Sequence, residues 1–168
     1  ALGRIGGADN RAALLTYFDR GNKALEKPWA ALALGLLAHD AGSCDRGIGE
    51  VLRRELGDNK NDLTRAACAV ALGLARYREA ADDLLAVLLH DGNRDPLVGY
   101  VGLGLALMGE DRAIPELRAL VAAGQSRPGL LVQAATALAV LGDKAGPVLF
   151  QLPPNFKAIA DRLASFIK

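Results

Sequence analysis

The chain has 168 residues and is 51% hydrophobic, enough for one domain with an ample core. Its 20 basic and 19 acidic residues are well mixed and leave a formal charge of +1, which argues against a dedicated nucleic-acid binder with its basic excess or cluster. Aromatics are only 5%, so the core must be built from Leu, Val, Ile and Ala, and the abundance of Ala and Leu favours helix over strand.

In chain order, Asp9 is placed to cap a helix to about Arg20, with Ala12, Leu15 and Phe18 at helical spacing. Pro28 suits the first turn of a helix to about His39. Asp45 caps the next, through about Leu56, and Asp62 opens another to about Arg76. Arg78 to His90 follows after a very short connection. Asp95-Pro96 reads as a cap and an N1 proline, opening a helix to about Met108. Asp111 caps a helix to about Ala123, and Pro128 starts one that ends near Leu141 before Gly142. A shorter helix is predicted around Gly146 to Gln151, stopped by Pro153-Pro154. Asn155 caps a last one, with Phe156, Ile159, Leu163, Phe166 and Ile167 on one face. No stretch shows the strict alternation of a half-buried strand.

The segments repeat about every 33 residues: Leu72-Gly73-Leu74 lines up with Leu105-Ala106-Leu107, and Leu138-Ala139-Val140 falls in step again. Within each unit the first helix is apolar almost all round, as in Ala66 to Ala75, which predicts cover on more than one side. The second is amphipathic. Ala80, Ala81, Leu84, Val87 and Leu88 make one stripe, and Ala113, Ile114, Leu117, Leu120 and Val121 repeat it. A two-helix unit of this kind cannot bury its apolar faces alone, so neighbours must stack. Gly is abundant, with 19 residues, and Gly35, Gly73, Gly102 and Gly104 sit inside apolar runs. Each costs a helix about 1 kcal/mol relative to Ala; closer approach of neighbouring helices is the expected compensation.

Arg65-Ala-Ala-Cys-Ala-Val-Ala-Leu-Gly73, Asp111-Arg-Ala-Ile-Pro-Glu-Leu117, and Ala137 to Asp143 with Pro147 together resemble the HEAT-repeat family, in the short form found in phycobilisome lyases. The resemblance covers nearly the whole chain. It implies an all-α fold, an α-solenoid with a right-handed superhelix of about four HEAT-like helix pairs. The family often carries Arg where Arg65 stands, but the equivalents are Val98 and Leu131, so a regular polar ladder between units is not expected. The step from Leu34 to Leu72 is about 38, which places surplus residues in the loop Asp40 to Asp45, where repeat arrays carry their insertions. Ala1 to Gly6 resembles the end of a first helix, as if the chain opened in mid-repeat of a longer array.

Such arrays bind along a surface rather than in a catalytic pocket. Glu50, Asp83 and Glu116 recur at one repeat position beside the second-helix stripe, with Arg53, Arg54 and Arg118 on the same helices. The resemblance puts the second helices on a concave face, making these six residues the candidate partner-binding set, for a protein or peptide of basic character. Acids near a helix start also complement its dipole with no partner at all. The resemblance leaves two further functions open: a bilin lyase or chaperone-like HEAT subunit, and a HEAT-like nucleic-acid binder of the glycosylase type.

Chemical motifs are sparse. His39-Asp40 and His90-Asp91 are similar to the His-Glu pairs by which deoxyhypusine hydroxylases hold two irons, but there are only 2 His, at the ends of different helices in the repeat, each followed by Asp. Asp91-Gly-Asn-Arg-Asp95 has the opening spacing of a calcium loop, but the required Gly and Glu are replaced by Pro96 and Gly102. No serine lies in a nucleophile elbow. Cys68 reads as a core residue and Cys44 as a loop residue without a paired base. No catalytic residue, metal or cofactor is expected. The longest apolar run, Leu97 to Gly109, is about 13 residues against the roughly 20 of a membrane span. With no disulfide framework and no targeting segment in view, the expected compartment is the cytoplasm.

Overall fold

Side chains that accept backbone N–H groups set several of the helix starts. The computed structural model describes residues 7–20, 25–41, 45–90, 95–123 and 126–142, and within them the chain is helical, with no strand. The helices are α1 (Ala8–Arg20), α2 (Lys27–Asp40), α3 (Arg46–Asp58), α4 (Asp62–Leu74), α5 (Ala81–His90), α6 (Asp95–Met108), α7 (Ile114–Ala123) and α8 (Pro128–Leu141). Single 3₁₀ turns, Arg78–Ala80 and Asp111–Ala113, lead into α5 and α7. The helices expected around 146–151 and 155–167, the opening residues 1–6, Cys44 and positions 91–94 lie outside the described residues.

Asp45 caps α3 as expected, accepting from the Ile48 N–H at 3.1 Å. Ahead of α4 and α7 the cap is a neighbour of the expected residue. Asn61 caps α4, accepting from both Leu63 and Thr64 N–H groups, so Asp62 lies within the first turn. Glu110, not Asp111, accepts from the Arg112 N–H ahead of α7. Asp9 and Asp95 also sit inside the first turns of α1 and α6. Adjacent polar residues compete for one role, and a shift of one position decides the winner.

The helices pack in a recurring order. α2, α4, α6 and α8 lie each against the next, while α1, α3, α5 and α7 pack on α2, α4, α6 and α8 respectively. Each second helix thus leans mainly on the first helix of the following unit. One repeat position of these outer helices is filled by Phe18, Leu52, Leu84 and Leu117, and one position of the inner row by Leu34, Leu72, Leu105 and Leu138, all of them buried. In the two predicted stripes, Ala80, Ala81, Leu84, Leu88, Ala113, Leu117 and Leu120 are buried, with Val87, Ile114 and Val121 half-buried at the edges.

Cover on the inner row is incomplete, contrary to expectation for helices so apolar. Trp29, Leu36, Tyr100, Val132 and Val140 are exposed. Helices joined to two row neighbours and flanked by outer helices still keep one side open. The interior glycines of this row do bring backbones together. A Cβ on Gly35 would lie 2.6 Å from the Ala71 Cα, and one on Gly73 would lie 2.8 Å from the Gly104 Cα.

Among α4, α6 and α8, one helix end departs from the repeat. In α4 the Tyr77 N–H bonds to the Leu72 carbonyl and the Arg76 N–H to that of Gly73; in α6 the Glu110 and Gly109 N–H groups make the same two bonds to Leu105 and Ala106. This double closure needs a residue at positive φ, normally glycine. Gly109 has φ 74° and Gly142 φ 60°, but at the equivalent place in α4 stands Arg76, at φ 51°. A left-handed side-chain-bearing residue costs about 1 kcal/mol. Arg76→Gly is therefore expected to raise stability by about 1 kcal/mol in urea unfolding; a loss would mean that Arg76 makes a contact worth more than the strain.

Candidate functional site

The six candidate residues lie on three successive outer helices: Glu50, Arg53 and Arg54 on α3, Asp83 on α5, Glu116 and Arg118 on α7. Asp83 and Glu116 are half-buried and the other four exposed. The helical positions that carry them flank the buried Leu52, Leu84 and Leu117, which is why they face outward.

The structure brings these residues into ion pairs rather than leaving a bare acidic row. Arg53 bonds to Asp83 across from α3 to α5. Arg54 reaches back to Asp19 on α1 at 3.4 Å. Asp82, next to Asp83, takes Arg112 at 2.9 Å from the turn before α7. Glu50 is held within its own helix by Arg46 at 3.1 Å. Of the three carboxylates in the expected track, Glu116 alone makes no ion pair among the described residues. The surface is a ladder of alternating charge, α1 to α3 to α5 to α7.

A second set of inter-unit pairs runs near the helix starts. Arg11 binds Asp45 through two nitrogens, one at 2.7 Å, and holds that carboxyl below its ordinary range. Arg127 donates to Asp95 at 2.6 Å. Within one unit, Lys27 at the start of α2 meets Glu55 near the end of α3 at 2.7 Å, and it lies 5.2 Å over the Phe18 ring of α1. Burial pushes the Glu55 carboxyl up, but Lys27 and Asn59 outweigh it and hold it low.

A polar ladder between units therefore exists, though not at Arg65. That guanidinium instead donates to the Leu56 carbonyl at 3.0 Å, closing the end of α3. The ladder partners missed in the sequence were Asp19, Asp82, Arg11, Arg112 and Arg127. Their one legible signal was separation: the pairs Arg11–Asp45, Arg53–Asp83, Arg54–Asp19, Arg112–Asp82 and Arg127–Asp95 are 30 to 35 residues apart, close to one repeat.

Other candidates behave as core or cap residues. Burial pushes the Cys68 thiol far up, which removes its nucleophilic form. His39 ends α2, and its Nδ1 lies 3.3 Å from the Leu74 carbonyl, which can only accept. His90 ends α5 and is exposed. Among the described residues no group of three or more His, Cys, Asp or Glu could hold a metal ion, and no helix is long and apolar enough to cross a membrane. Comparison with protein-family models, curated proteins and solved structures returned no match to the chain.

Proposed function

We propose that the chain is a short HEAT-like α-solenoid acting as a non-catalytic scaffold, which holds a protein or peptide partner along the row of outer helices. The observation that carries this reading is the ladder itself: Asp19, Arg54, Arg53, Asp83, Asp82 and Arg112 string four successive units together on one set of surface residues. A surface with charge alternating at repeat spacing suits an extended partner of matching period. A Lys/Arg-rich segment would pair first with Glu116 and Glu50 and exchange with the arginines along the row, giving affinity that falls with salt.

Reversal of Glu50, Asp83 and Glu116 to Lys is expected to leave the fold in place, because exposed ion pairs contribute at most about 1 kcal/mol each. It is also expected to abolish capture of a basic partner in a pull-down from native extract at two salt concentrations. Equal capture by the reversed variant would sink the outer-helix site. Recovery of nucleic acid that washes off at higher salt would move the reading to a nucleic-acid binder, and co-purified tetrapyrrole absorbance would move it to a bilin-handling subunit.

A further inference from the structure

Of the arginines outside the ladder, Arg76 and Arg78 share one cleft. Arg11, Arg53, Arg54, Arg112 and Arg127 each reach a carboxylate of another unit, whereas Arg76 and Arg78 make no ion pair among the described residues. Both line a half-open cleft of about 430 Å³ at the C-terminal ends of the inner helices. His39 stands on its α2 side, and Leu74, Leu107 and Val140, one repeat position in three successive inner helices, give it an apolar side; among the described residues no carboxylate lines it. The volume lies in the range of small-molecule sites, about 300–1,000 Å³.

We propose that this cleft binds a small organic anion, its charged head on Arg76 and Arg78 and its apolar body against Leu74, Leu107 and Val140. The site shares no residue with the outer-helix row and does not rest on the scaffold reading. Helix C-termini attract cations, and that alone accounts for an arginine at position 78. It does not account for Arg76, which occupies a left-handed position where the next two units use Gly109 and Gly142. Strain kept at a residue that lines a cleft is the pattern of a functional position.

Neighbouring groups leave both arginines available. Glu110, held below its ordinary range by Arg112 and to a lesser degree by the charge of Arg78, has both oxygens taken by the Arg112 guanidinium, each at 2.9 Å, and one also by the Arg112 N–H at 3.2 Å. His39 commits its Nδ1 proton to the Leu74 carbonyl, and its Nε2 makes no hydrogen bond among the described residues. Two planar guanidinium forks beside an apolar wall match a carboxylate or sulfonate on a hydrocarbon body.

The test is a fluorescence titration of the whole chain with 8-anilinonaphthalene-1-sulfonate, with neutral N-phenyl-1-naphthylamine as control. Saturable one-to-one binding is expected, with about tenfold or greater loss of sulfonate affinity in the Arg76→Gly, Arg78→Gln double variant. The neutral dye should bind wild type and variant alike. Because glycine relieves the strain at position 76, loss of binding in a variant that melts no earlier than wild type cannot be unfolding. Amide shifts on adding the sulfonate are expected at Gly73, Leu107 and Gly109. Unchanged sulfonate affinity in the double variant, or shifts confined to other parts of the chain, would overturn the site.

Discussion

Gly104→Ala is expected to destabilise the protein by about 1–3 kcal/mol, the cost of forcing extra volume into a packed contact. The sign is opposite to intrinsic helix propensity, which favours alanine by about 1 kcal/mol. The new methyl would lie 2.8 Å from the carbonyl carbon of Ala69, with the Ala69 oxygen nearer still. These are backbone atoms of α4, so no side chain can swing aside to make room. Gly73 faces the same contact from the other helix, its added Cβ meeting the backbone of Gly104. Gly129 is the control: nothing lies within 4 Å of its added Cβ, so alanine there should be neutral or stabilising. Urea melts of the Gly104→Ala and Gly129→Ala variants decide the matter. A Gly104→Ala protein that melts at or above the wild-type midpoint would show that α4 and α6 do not touch through their backbones.

Leu117→Ala is expected to cost about 2–5 kcal/mol, since it removes a wholly buried side chain from a close-packed position. Leu84→Ala, at the same place one unit earlier and equally buried, should cost a similar amount. Leu117 also carries a coupling that a simple cavity would lack. Its Cδ2 would stand 2.6 Å from a Cβ on Gly102, so Gly102→Ala overpacks the wild-type core. In the Leu117→Ala background the same methyl enters vacated space. The double variant should therefore be more stable than the sum of the single effects by at least about 0.5 kcal/mol. Strict additivity in a double-mutant cycle would contradict the contact of Leu117 with Gly102.

Much of this fold was legible from local pattern. The spacing of Ala80, Leu84 and Leu88 marked a buried face because a helix returns to the same side every three or four residues, and all three are buried. Pro28 and Pro128 stand in first turns because their missing N–H has no helical partner there to lose. Helix ends were less legible, since Asn61 and Asp62, or Glu110 and Asp111, offer the same chemistry one residue apart.

The candidate site was legible only as positions. Glu50, Asp83 and Glu116 share a repeat register, but Asp83 is neutralised by Arg53 from the preceding unit, and Glu50 by Arg46 from its own turn. Charge along a helix is a local property; charge on a surface depends on which neighbour stacks alongside. The same distinction hides Arg76, whose residue type gives no hint of a left-handed backbone.

By itself, then, the sequence determined an all-helical chain, its period of about 33 residues and the faces it must bury, because those follow from propensity and from spacing within a helix. Tertiary structure alone decided that Gly73 and Gly104 meet backbone to backbone, that Arg53 answers Asp83 and Arg112 answers Asp82, and that Arg76 and Arg78 share a cleft. Each of these depends on the offset between one helix and the next, a quantity set by how side chains of several units interlock rather than by any single stretch of chain.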